Sequence, residues 1–555
     1  MRKNNALTHE LSLYKKIISD FAGTAHAMLK RFNQIKADFY AGMGNGQKRW
    51  FVFCNLFLSV YTTFVIYISQ SRIFIFPFRT LLVLVTSFFI ILIVYNAVVF
   101  FCHKCKSIFI DITHKRTTVK YETAMLFSAI CFIILLLALI ASFPGGVSPD
   151  PEDQWAQAHS FAFNDWHPVI HTLFIWLATR IIDHWAFVVF VQITVFSIGV
   201  GYLIATMESW GFSRKILLIT GLSIMLNPYN IGNMMHPWKD SAFTILIMYT
   251  TIMVINTYFS GGMWFSKSIN VILFALTTGL ASIVRHNGFF FTVPLYVIVV
   301  FLYSRKTIKT IMSVVLAVSL IFLVKVPLYN ALGVTRPNNT YEESVGIPMN
   351  ILGHTLIENP KLLPLETKEF LYRIASDDEW RETYMPGEFN YIKWHFNAPS
   401  IIVTVPPKTL LKWVLQTCIN AKYEAFHAIC DATAIVWRIG NLDFIRLPSP
   451  EKENAITRAL FFCFFGYTGL CFSLPVISLL FANLGLLMLL LLIIGIFSLG
   501  RNGIKALLLV VPSIAYNLGT MLLLFGPSQR FFHFNFVITI PLLFVLLSKQ
   551  GVQEK

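Results

Sequence analysis

Long uninterrupted apolar runs limit what this chain can fold into more than any other feature of its sequence. Stretches such as 122–142, 184–206 and 531–548 are almost entirely apolar, and about twenty such residues let a helix cross a bilayer. The runs are continuous rather than alternating, which argues against a transmembrane β-barrel. Only 13% of the residues are charged and the mean hydropathy is +0.65, whereas soluble domains have roughly 25% charged residues. A soluble enzyme is therefore excluded.

Run length predicts an all-α membrane protein, a polytopic helical bundle of about 12–13 spans. The apolar runs fall at 51–70, 78–101, 122–142, 184–206, 215–228, 241–258, 268–284, 288–304, 309–327, 456–478, 481–499, 503–525 and 531–548. Two hydrophilic segments, 143–183 and 328–455, are too long to be ordinary connections between spans.

Basic residues are distributed unevenly along the chain, whose formal net charge is +16. Thirteen of the 28 acidic residues but only eleven of the 44 basic residues fall within 328–450. Lys and Arg mark the cytoplasmic loops of membrane proteins, so we interpret the positive charge as a topology signal rather than as a nucleic-acid-binding surface. The basic loop 102–120 is then cytoplasmic, and the segments 143–183 and 328–455 are external.

The expected organisation has four parts. They are a basic cytoplasmic N-terminal extension at 1–50, a transmembrane module at 51–327 that includes the outer loop 143–183, a small, mainly helical external domain at 328–455, and C-terminal transmembrane helices at 456–555. Charge bias favours a cytoplasmic C-terminus, which requires one of the segments 456–478 and 481–499 to be re-entrant or to lie in the interface. Cys418 and Cys430 both fall in the external domain, where they could form a disulfide.

The outer loop carries the first candidate site. Asp150, Glu152 and Asp153 lie within four residues, directly after a predicted span. Glycines and prolines at 144–151 predict a constrained backbone at this point. A carboxylate held in this way could act as a general base. Asp150, which stands between two prolines, is the first candidate, and Asp153 is the alternative.

Three cations stand at other span ends on the same predicted face. Lys239 begins one span, Arg285 lies between two spans, and Arg530 precedes the last span. Such cations bind phosphate groups well, although anchoring to lipid head groups explains them equally well. Polar residues that surround these positions are candidate substrate contacts: Gln154, Trp155, His167, His236, Asp240 and Asn287.

Ionisable residues are scarce within the predicted spans, and Lys325 lies near a span end. Because a transporter needs such residues along a path through the bilayer, the pattern favours an enzyme that works at the outer face. One acidic and three basic clusters suit transfer from an anionic, lipid-linked donor to a hydroxyl group. A polytopic lipid or polysaccharide transporter or flippase is the alternative, and a non-catalytic assembly protein is a third interpretation.

These motifs resemble those of the GT-C superfamily of integral membrane glycosyltransferases, which includes the protein O-mannosyltransferases and the lipid A aminoarabinose transferases. The closest likeness is to a bacterial branch of that superfamily. The likeness covers about 120–550 by arrangement. Short motifs carry it, at 145–155, 164–168, 238–240, 285–288 and 530. Phe531 departs from the pattern, in which Tyr follows the Arg.

The resemblance implies a polyprenyl-phosphate sugar as donor, an acceptor outside the cytoplasm, and an active site on the outer face of the cytoplasmic membrane. It implies that Asp150 is the catalytic base and that Lys239 and Arg285 approach the donor phosphate, with Arg530 as a further phosphate-binding residue. The sugar stays undefined, and the acceptor could be a glycan, a lipid or a protein.

Cofactor use stays open at this point, because some members of the superfamily need a divalent metal and others do not. His167 and His171 lie one helical turn apart. Together with Asp150 or Asp153 they could bind a metal ion.

Overall fold

The computed structural model describes residues 45–70, 84–93, 95–96, 111–112, 117–305, 307–336, 341–396, 398–440, 447–524, 526 and 528–550, together with residues 30, 34 and 37. Most of the predicted N-terminal extension and of the loop 102–120, and half of the predicted span 78–101, lie outside these residues. Eight described helices are long and apolar enough to cross a membrane. The prediction of an all-α polytopic membrane protein is confirmed.

Nine helices form these eight candidate spans, because Leu484–Asn502 and Leu507–Met521 count together as one span: Tyr121–Ala141, Trp185–Ser209, Lys239–Phe259, Phe289–Tyr303, Lys309–Leu323, Ala455–Ser473, Leu484–Asn502, Leu507–Met521 and Asn535–Leu547. The other α-helices are Asn45–Gln70, Leu84–Ile93, Pro149–Ser160, Val169–Thr179, Arg214–Met225, Pro228–Met234, Ser268–Val284, Tyr329–Ala331, Gly346–Glu358, Leu365–Ile374, Asp377–Thr383, Asn390–His395, Ala398–Ile402, Pro407–Asn420, Lys422–Trp437 and Pro475–Ala482. One π-helical turn is Val324–Leu328, and the 3-10 helices are Met263–Ser266, His286–Gly288, Tyr341–Ser344, Pro360–Leu362, Gly503–Ala506 and Gln529–Phe532. Two-residue strands occur at Asp111–Ile112 and Lys549–Gln550.

Several long helices present apolar side chains outward, as helices in contact with lipid do. In Tyr121–Ala141, for example, Met125, Leu126 and Ile133 are 64%, 57% and 54% exposed. In water such a surface would be strongly unfavourable, at about 25 cal/mol for each Å² of apolar surface. The outward apolar faces therefore fit a bilayer environment.

The number of long helices is smaller than run length predicts. The predicted span 215–228 is a helix of only 12 residues, Arg214–Met225, and a second short helix begins at Pro228. The Asn227 side chain accepts a hydrogen bond from the Tyr229 amide and so starts that second helix. Asn227, Asn230 and Asn233 interrupt the apolar sequence here, so the run 215–228 is too short to cross a bilayer as one helix.

The second compact unit, which comprises 68–74 and 112–555, has two distinct ends. The loop end carries the segment 142–184, and Glu451 reaches it through a hydrogen bond from its amide to the Phe143 carbonyl (2.9 Å). The opposite end, which we call the basic end, gathers helix termini that carry Lys120, Arg214, Lys215, Lys267, Lys309 and Arg501. There Lys120 pairs with Glu208 at 2.8 Å.

The chain from Glu451 to Ala482 starts and finishes at the loop end. The Ala482 carbonyl accepts a hydrogen bond from Gln529 Nε2 (2.8 Å), next to Arg530. The helices Ala455–Ser473 and Pro475–Ala482 therefore make no net crossing, and Leu484–Asn502 runs to the basic end. The chain folds back at Gly503, whose φ is +73°, before the helix Leu507–Met521 begins. Arg501 then donates to the Leu547 carbonyl (3.3 Å), so the last helix also finishes at the basic end.

The segment between Gly346 and Trp437 is a helical domain with its own apolar core. Leu352, Trp380 and Phe389 are among the fully buried side chains of this core. The Trp380 indole N–H donates to the Leu371 carbonyl (3.0 Å), which satisfies the polar edge of the ring. This domain is inserted between the helices Lys309–Leu323 and Ala455–Ser473.

The first compact unit comprises 1–67 and 75–111. Its described part includes the helix Leu84–Ile93 and most of Asn45–Gln70. Asn55 donates to Asn96 (3.3 Å), and Thr62 shares a hydrogen bond with Tyr95. Polar side chains therefore join its two helical segments.

Candidate functional site

The loop 142–184 folds tightly against the turn that precedes the helix Lys239–Phe259. The Gly146 amide donates to the Met235 carbonyl (2.8 Å). A Cβ atom at Gly146 would lie 1.9 Å from His236 Nδ1, so only glycine fits there. His236 in turn stacks on Trp238 with ring centroids 4.0 Å apart. The Trp238 indole N–H donates to Ser148 Oγ (2.8 Å) and fixes the start of the next helix.

Asp150 lies at the centre of the site. Ser148 is the N-cap of the helix Pro149–Ser160, and Asp150 is in its first turn, where the helix dipole favours a carboxylate. Lys239 Nζ lies 3.4 Å from Asp150 Oδ2, and Arg530 NH2 lies 3.2 Å from the same oxygen. Three chain segments far apart in sequence thus place two cations around one carboxylate.

His167 and Asp153 extend this cluster. Lys239 Nζ donates to His167 Nδ1 (2.7 Å). His167 Nε2 lies 3.8 Å from Asp153 Oδ2. The latter oxygen also accepts a hydrogen bond from Gln157 (2.7 Å). Because the Lys ammonium can only donate, His167 Nδ1 is the acceptor, and the proton of the neutral ring is on Nε2. The row therefore runs from Asp150 through Lys239 and His167 to Asp153.

Burial and charge set the protonation states of this cluster. Burial alone would raise the pKa of Asp150, but the positive charges of Lys239 and Arg530 outweigh that effect and lower it below its ordinary value. Burial, reinforced by the charge of Lys239, lowers the pKa of His167 to about 3. At neutral pH Asp150 is therefore an anion and His167 is a neutral imidazole.

Arg285 is enclosed rather than open to a ligand. Its side chain is only 6% exposed and forms a very close ion pair with Asp240, whose side chain is 1% exposed. It also donates to the Phe531 carbonyl (3.3 Å). The Phe531 ring lies between two guanidinium groups, 4.8 Å from that of Arg285 and 4.9 Å from that of Arg530. Asp240 and Phe531 therefore cover the guanidinium group of Arg285, and its predicted role at a donor phosphate stays a prediction.

Two other predicted contact residues pack against the loop helices. Gln154 is fully buried, donates to Thr172 (3.1 Å) and accepts from His171 (3.0 Å), so it joins two loop helices. Trp155 packs on Trp185 with centroids 5.2 Å apart.

Three further predicted residues differ in how far they are buried. His236 is fixed between Gly146 and Trp238, and Asp240 is buried against Arg285. Asn287 is half-buried in the turn His286–Gly288.

A second polar cluster, which sequence reasoning did not assign to the site, lies beside it. Lys325 Nζ contacts both carboxylate oxygens of Asp165, at 3.0 and 3.1 Å, and Tyr329 donates to Asp165 (2.9 Å). Lys325 belongs to the π-helical turn Val324–Leu328, a kind of irregularity that often occurs at functional sites. A lysine within an apolar run was the available signal. The cluster holds the loop 142–184 against the π-helical turn Val324–Leu328 and the short helix Tyr329–Ala331.

An apolar groove of about 380 Å³ runs between the helices Val169–Thr179, Trp185–Ser209, Lys239–Phe259 and Ser268–Val284. His171, Gln192, Ala242 and Val284 are among its lining residues. Ala242 follows Lys239 by one helical turn, and Val284 directly precedes Arg285. The groove therefore ends close to the charged cluster, which suits a molecule with an apolar chain and an anionic head.

The described residues contain no group of three His, Cys, Asp or Glu side chains placed to hold a metal ion. The two histidines suggested as ligands have other partners, since His171 Nδ1 faces Gln154 and His167 Nδ1 faces Lys239. Cys418 and Cys430 are both free thiols, so the disulfide suggested by their position is not formed.

Comparisons of the chain with protein-family models, with curated proteins and with solved structures find no match. The geometry of the site is therefore the basis for any functional assignment.

Proposed function

We propose that this protein is a membrane glycosyltransferase of GT-C type that moves a sugar from a polyprenyl-phosphate donor to a hydroxyl acceptor. The observation that carries the proposal is Asp150 held between Lys239 and Arg530 beside an apolar groove. The two cations match a phosphate, the groove matches a lipid chain, and the carboxylate matches a base for a hydroxyl group.

The ion pairs of Asp150 explain how one cluster can bind the donor phosphate and also take the proton of the acceptor hydroxyl. Asp150 pairs with both Lys239 and Arg530, and its single negative charge offsets only one of their two positive charges. A donor phosphate offers the same cations a second anion and so weakens their hold on the carboxylate. Asp150 is then free to accept the proton of the acceptor hydroxyl. The two cations stabilise the negative charge that grows on the departing lipid phosphate.

The charge of the two ends supports an outward-facing site. The Lys and Arg residues named at the basic end are accompanied there by Glu208, whereas at the loop end Lys239, Arg285 and Lys325 are matched by the carboxylates of Asp150, Asp240 and Asp165. By the positive-inside rule the basic end faces the cytoplasm. The site then lies on the outer face of the cytoplasmic membrane, where it serves acceptors of the cell envelope.

An enzyme accounts for the placement of charge better than a transporter or flippase does. In the described spans the charged side chains lie at helix ends or at the Gly503 turn, with Lys325 as the exception, and its charge is matched by Asp165. A transport path needs polar groups that continue through the bilayer. The described groove is instead apolar along its length.

Sugar transfer by the purified protein in nanodiscs, with polyprenyl-phosphate sugars as donors, tests the proposal directly. Lys239→Ala should weaken donor binding about tenfold to a hundredfold, since a charge-assisted contact to phosphate is lost. Lys309→Ala is the matched control, because Lys309 also begins a span but lies at the basic end, where it donates to the Ser266 carbonyl (2.6 Å). Equal donor affinity in the two variants contradicts the proposed phosphate site.

A further inference from the structure

Asp150 is the first of four titratable side chains that follow one another across the site, and we call these four residues the row. Asp150, Lys239, His167 and Asp153 follow one another at 3.4, 2.7 and 3.8 Å between polar atoms. Their side chains are 29%, 15%, 5% and 45% exposed in that order. The row therefore passes from the reacting centre through an enclosed histidine to a carboxylate that faces solvent.

We propose that His167 and Asp153 form a proton exit path that returns Asp150 to its ionised form after each sugar transfer. This inference rests on the proposed function and assigns separate roles to the two acidic residues of the loop. Asp150 receives the proton, and Asp153 releases it. Neither His167 nor Asp153 touches the acceptor, so both act through their neighbours.

The proton balance along the row closes without any further reactant. The acceptor O–H bond breaks, and its proton moves to Asp150 while the oxygen bonds to the sugar and the lipid phosphate leaves. Lys239 passes one of its protons to His167 Nδ1 and receives the proton of Asp150 in exchange. His167 gives its Nε2 proton to Asp153, and Asp153 gives it to water. Water then takes the Nδ1 proton of His167 and returns one to Nε2, which restores the starting tautomer.

The surroundings of His167 favour a residue that passes a proton on over one that stays protonated. Asp150, Lys239, His286, Arg530, Asp153 and His171 are the titratable groups that face it. Lys239 fixes its tautomer by donating to Nδ1, which leaves the Nε2 proton directed at Asp153. The last gap is longer than a hydrogen bond, and a small movement of the half-exposed Asp153 side chain or one bridging water closes it.

Asp153→Asn tests the path, and Glu152→Gln is its matched control. Glu152 is an exposed carboxylate one residue away, so its replacement removes the same charge from the same helix turn. We expect Asp153→Asn to slow multiple-turnover sugar transfer at least tenfold while the first turnover keeps its wild-type rate. Added imidazole buffer should restore the multiple-turnover rate, and Glu152→Gln should behave as wild type.

Two outcomes would overturn the path. One is an Asp153→Asn enzyme with wild-type multiple turnover and an unchanged solvent deuterium isotope effect. The other is an equal loss in the first and in later turnovers, which would make Asp153 part of the chemical step. If the wild-type protein transfers no sugar, the proposed function fails by itself. The proton-exchange rate of His167, measured by ¹⁵N NMR in the wild type and in both variants, then decides the path separately, and a rate unaffected by Asp153→Asn refutes it.

Discussion

Single residues at this site have roles that their chemistry alone leaves open. Lys239, Arg285 and Arg530 are all cations at helix ends, yet their surroundings differ. Lys239 and Arg530 share the partly exposed Asp150, whereas Arg285 is enclosed with Asp240. A buried ion pair is costly to break, at about 3–5 kcal/mol when one partner is removed. We therefore expect Arg285 to support the shape of the site, whereas the side chains of Lys239 and Arg530 are more exposed, at 15% and 24%.

Asp150→Asn isolates the function of the central carboxylate. The amide keeps the shape of the side chain but cannot act as a base, so turnover should fall by about 10²- to 10⁴-fold. Donor affinity should stay equal or increase, because the competing negative charge beside Lys239 and Arg530 is gone. Initial rates and donor binding in nanodiscs measure both effects. A variant that transfers sugar at nearly the wild-type rate would move the role of base to another residue.

The buried histidines predict how stability depends on pH. Burial, reinforced by nearby positive charge, lowers the pKa of His171 to about 3 and that of His236 to about 4. The unfolded chain binds a proton at each near pH 6.5, so the folded state loses stability as pH falls from about 6.5 toward 4. Each histidine contributes up to about 1.4 kcal/mol per pH unit in that window.

Thermal unfolding in detergent between pH 7.5 and pH 5 measures this slope. His171→Gln should flatten the decline, whatever its effect on stability at pH 7.5. His395→Gln replaces an exposed histidine and should keep the wild-type slope. A decline of the same steepness in both variants is incompatible with a buried neutral His171.

At the scale of elements, the tight turn before the helix Lys239–Phe259 builds the site. Gly146 lets His236 approach the loop backbone, His236 supports Trp238, and the Arg530 guanidinium lies 5.2 Å from the centre of the Trp238 ring. A stack of side chains therefore links the loop 142–184 to a cation of the site. The precision of the cluster depends on a residue that has no side chain.

Gly146→Ala should disrupt this stack. The added methyl group would meet the His236 ring at 1.9 Å, and overpacking of this kind costs about 1–3 kcal/mol. We expect a lower melting temperature together with weaker donor binding, because Trp238 and Arg530 shift with His236. Gly466→Ala, at a position with no atom within 4 Å of the added carbon, should change neither. If Gly146→Ala kept the wild-type donor affinity, this stack of side chains would not contribute to the proposed phosphate site.

At the scale of the whole molecule, apolar run length and charge distribution predict the fold class but not the number of long helices. The break at Asn227 and Pro228 falls at the end of the apolar run 215–228, which is too short to form a long helix by itself. Asp150 and Lys239 stand out in the sequence because each is a charged residue close to one end of an apolar run.

The pairings within the site lie beyond what the sequence can predict. Arg285 meets Asp240 across 45 positions, and Lys325 meets Asp165 across 160 positions. Such contacts depend on the register of packed helices, which a single sequence does not contain.

The placement of the two ends makes the orientation of the whole molecule testable. The basic end holds Lys215 and Arg501, and the loop end holds Glu152. The helical domain 346–437 follows a segment tied to the loop 142–184, since the Thr335 amide donates to the Phe163 carbonyl (3.0 Å). Because positive charge stays in the cytoplasm during insertion, the loop end and the start of this domain should lie outside.

The experiment starts from a variant in which serine replaces all eight native cysteines. Single cysteines are then introduced at positions 152 and 215, and intact cells are treated with an impermeant thiol reagent. Position 152 should react at once, and position 215 only after the membrane is permeabilised. A third cysteine at Lys505, beside the Gly503 turn, should behave like position 215, because Leu484–Asn502 ends at the basic end. Reaction at 215 but not at 152 would mean the opposite orientation, with the proposed active site in the cytoplasm. Opposite behaviour of 215 and 505 would instead contradict the return of the chain between Glu451 and Ala482.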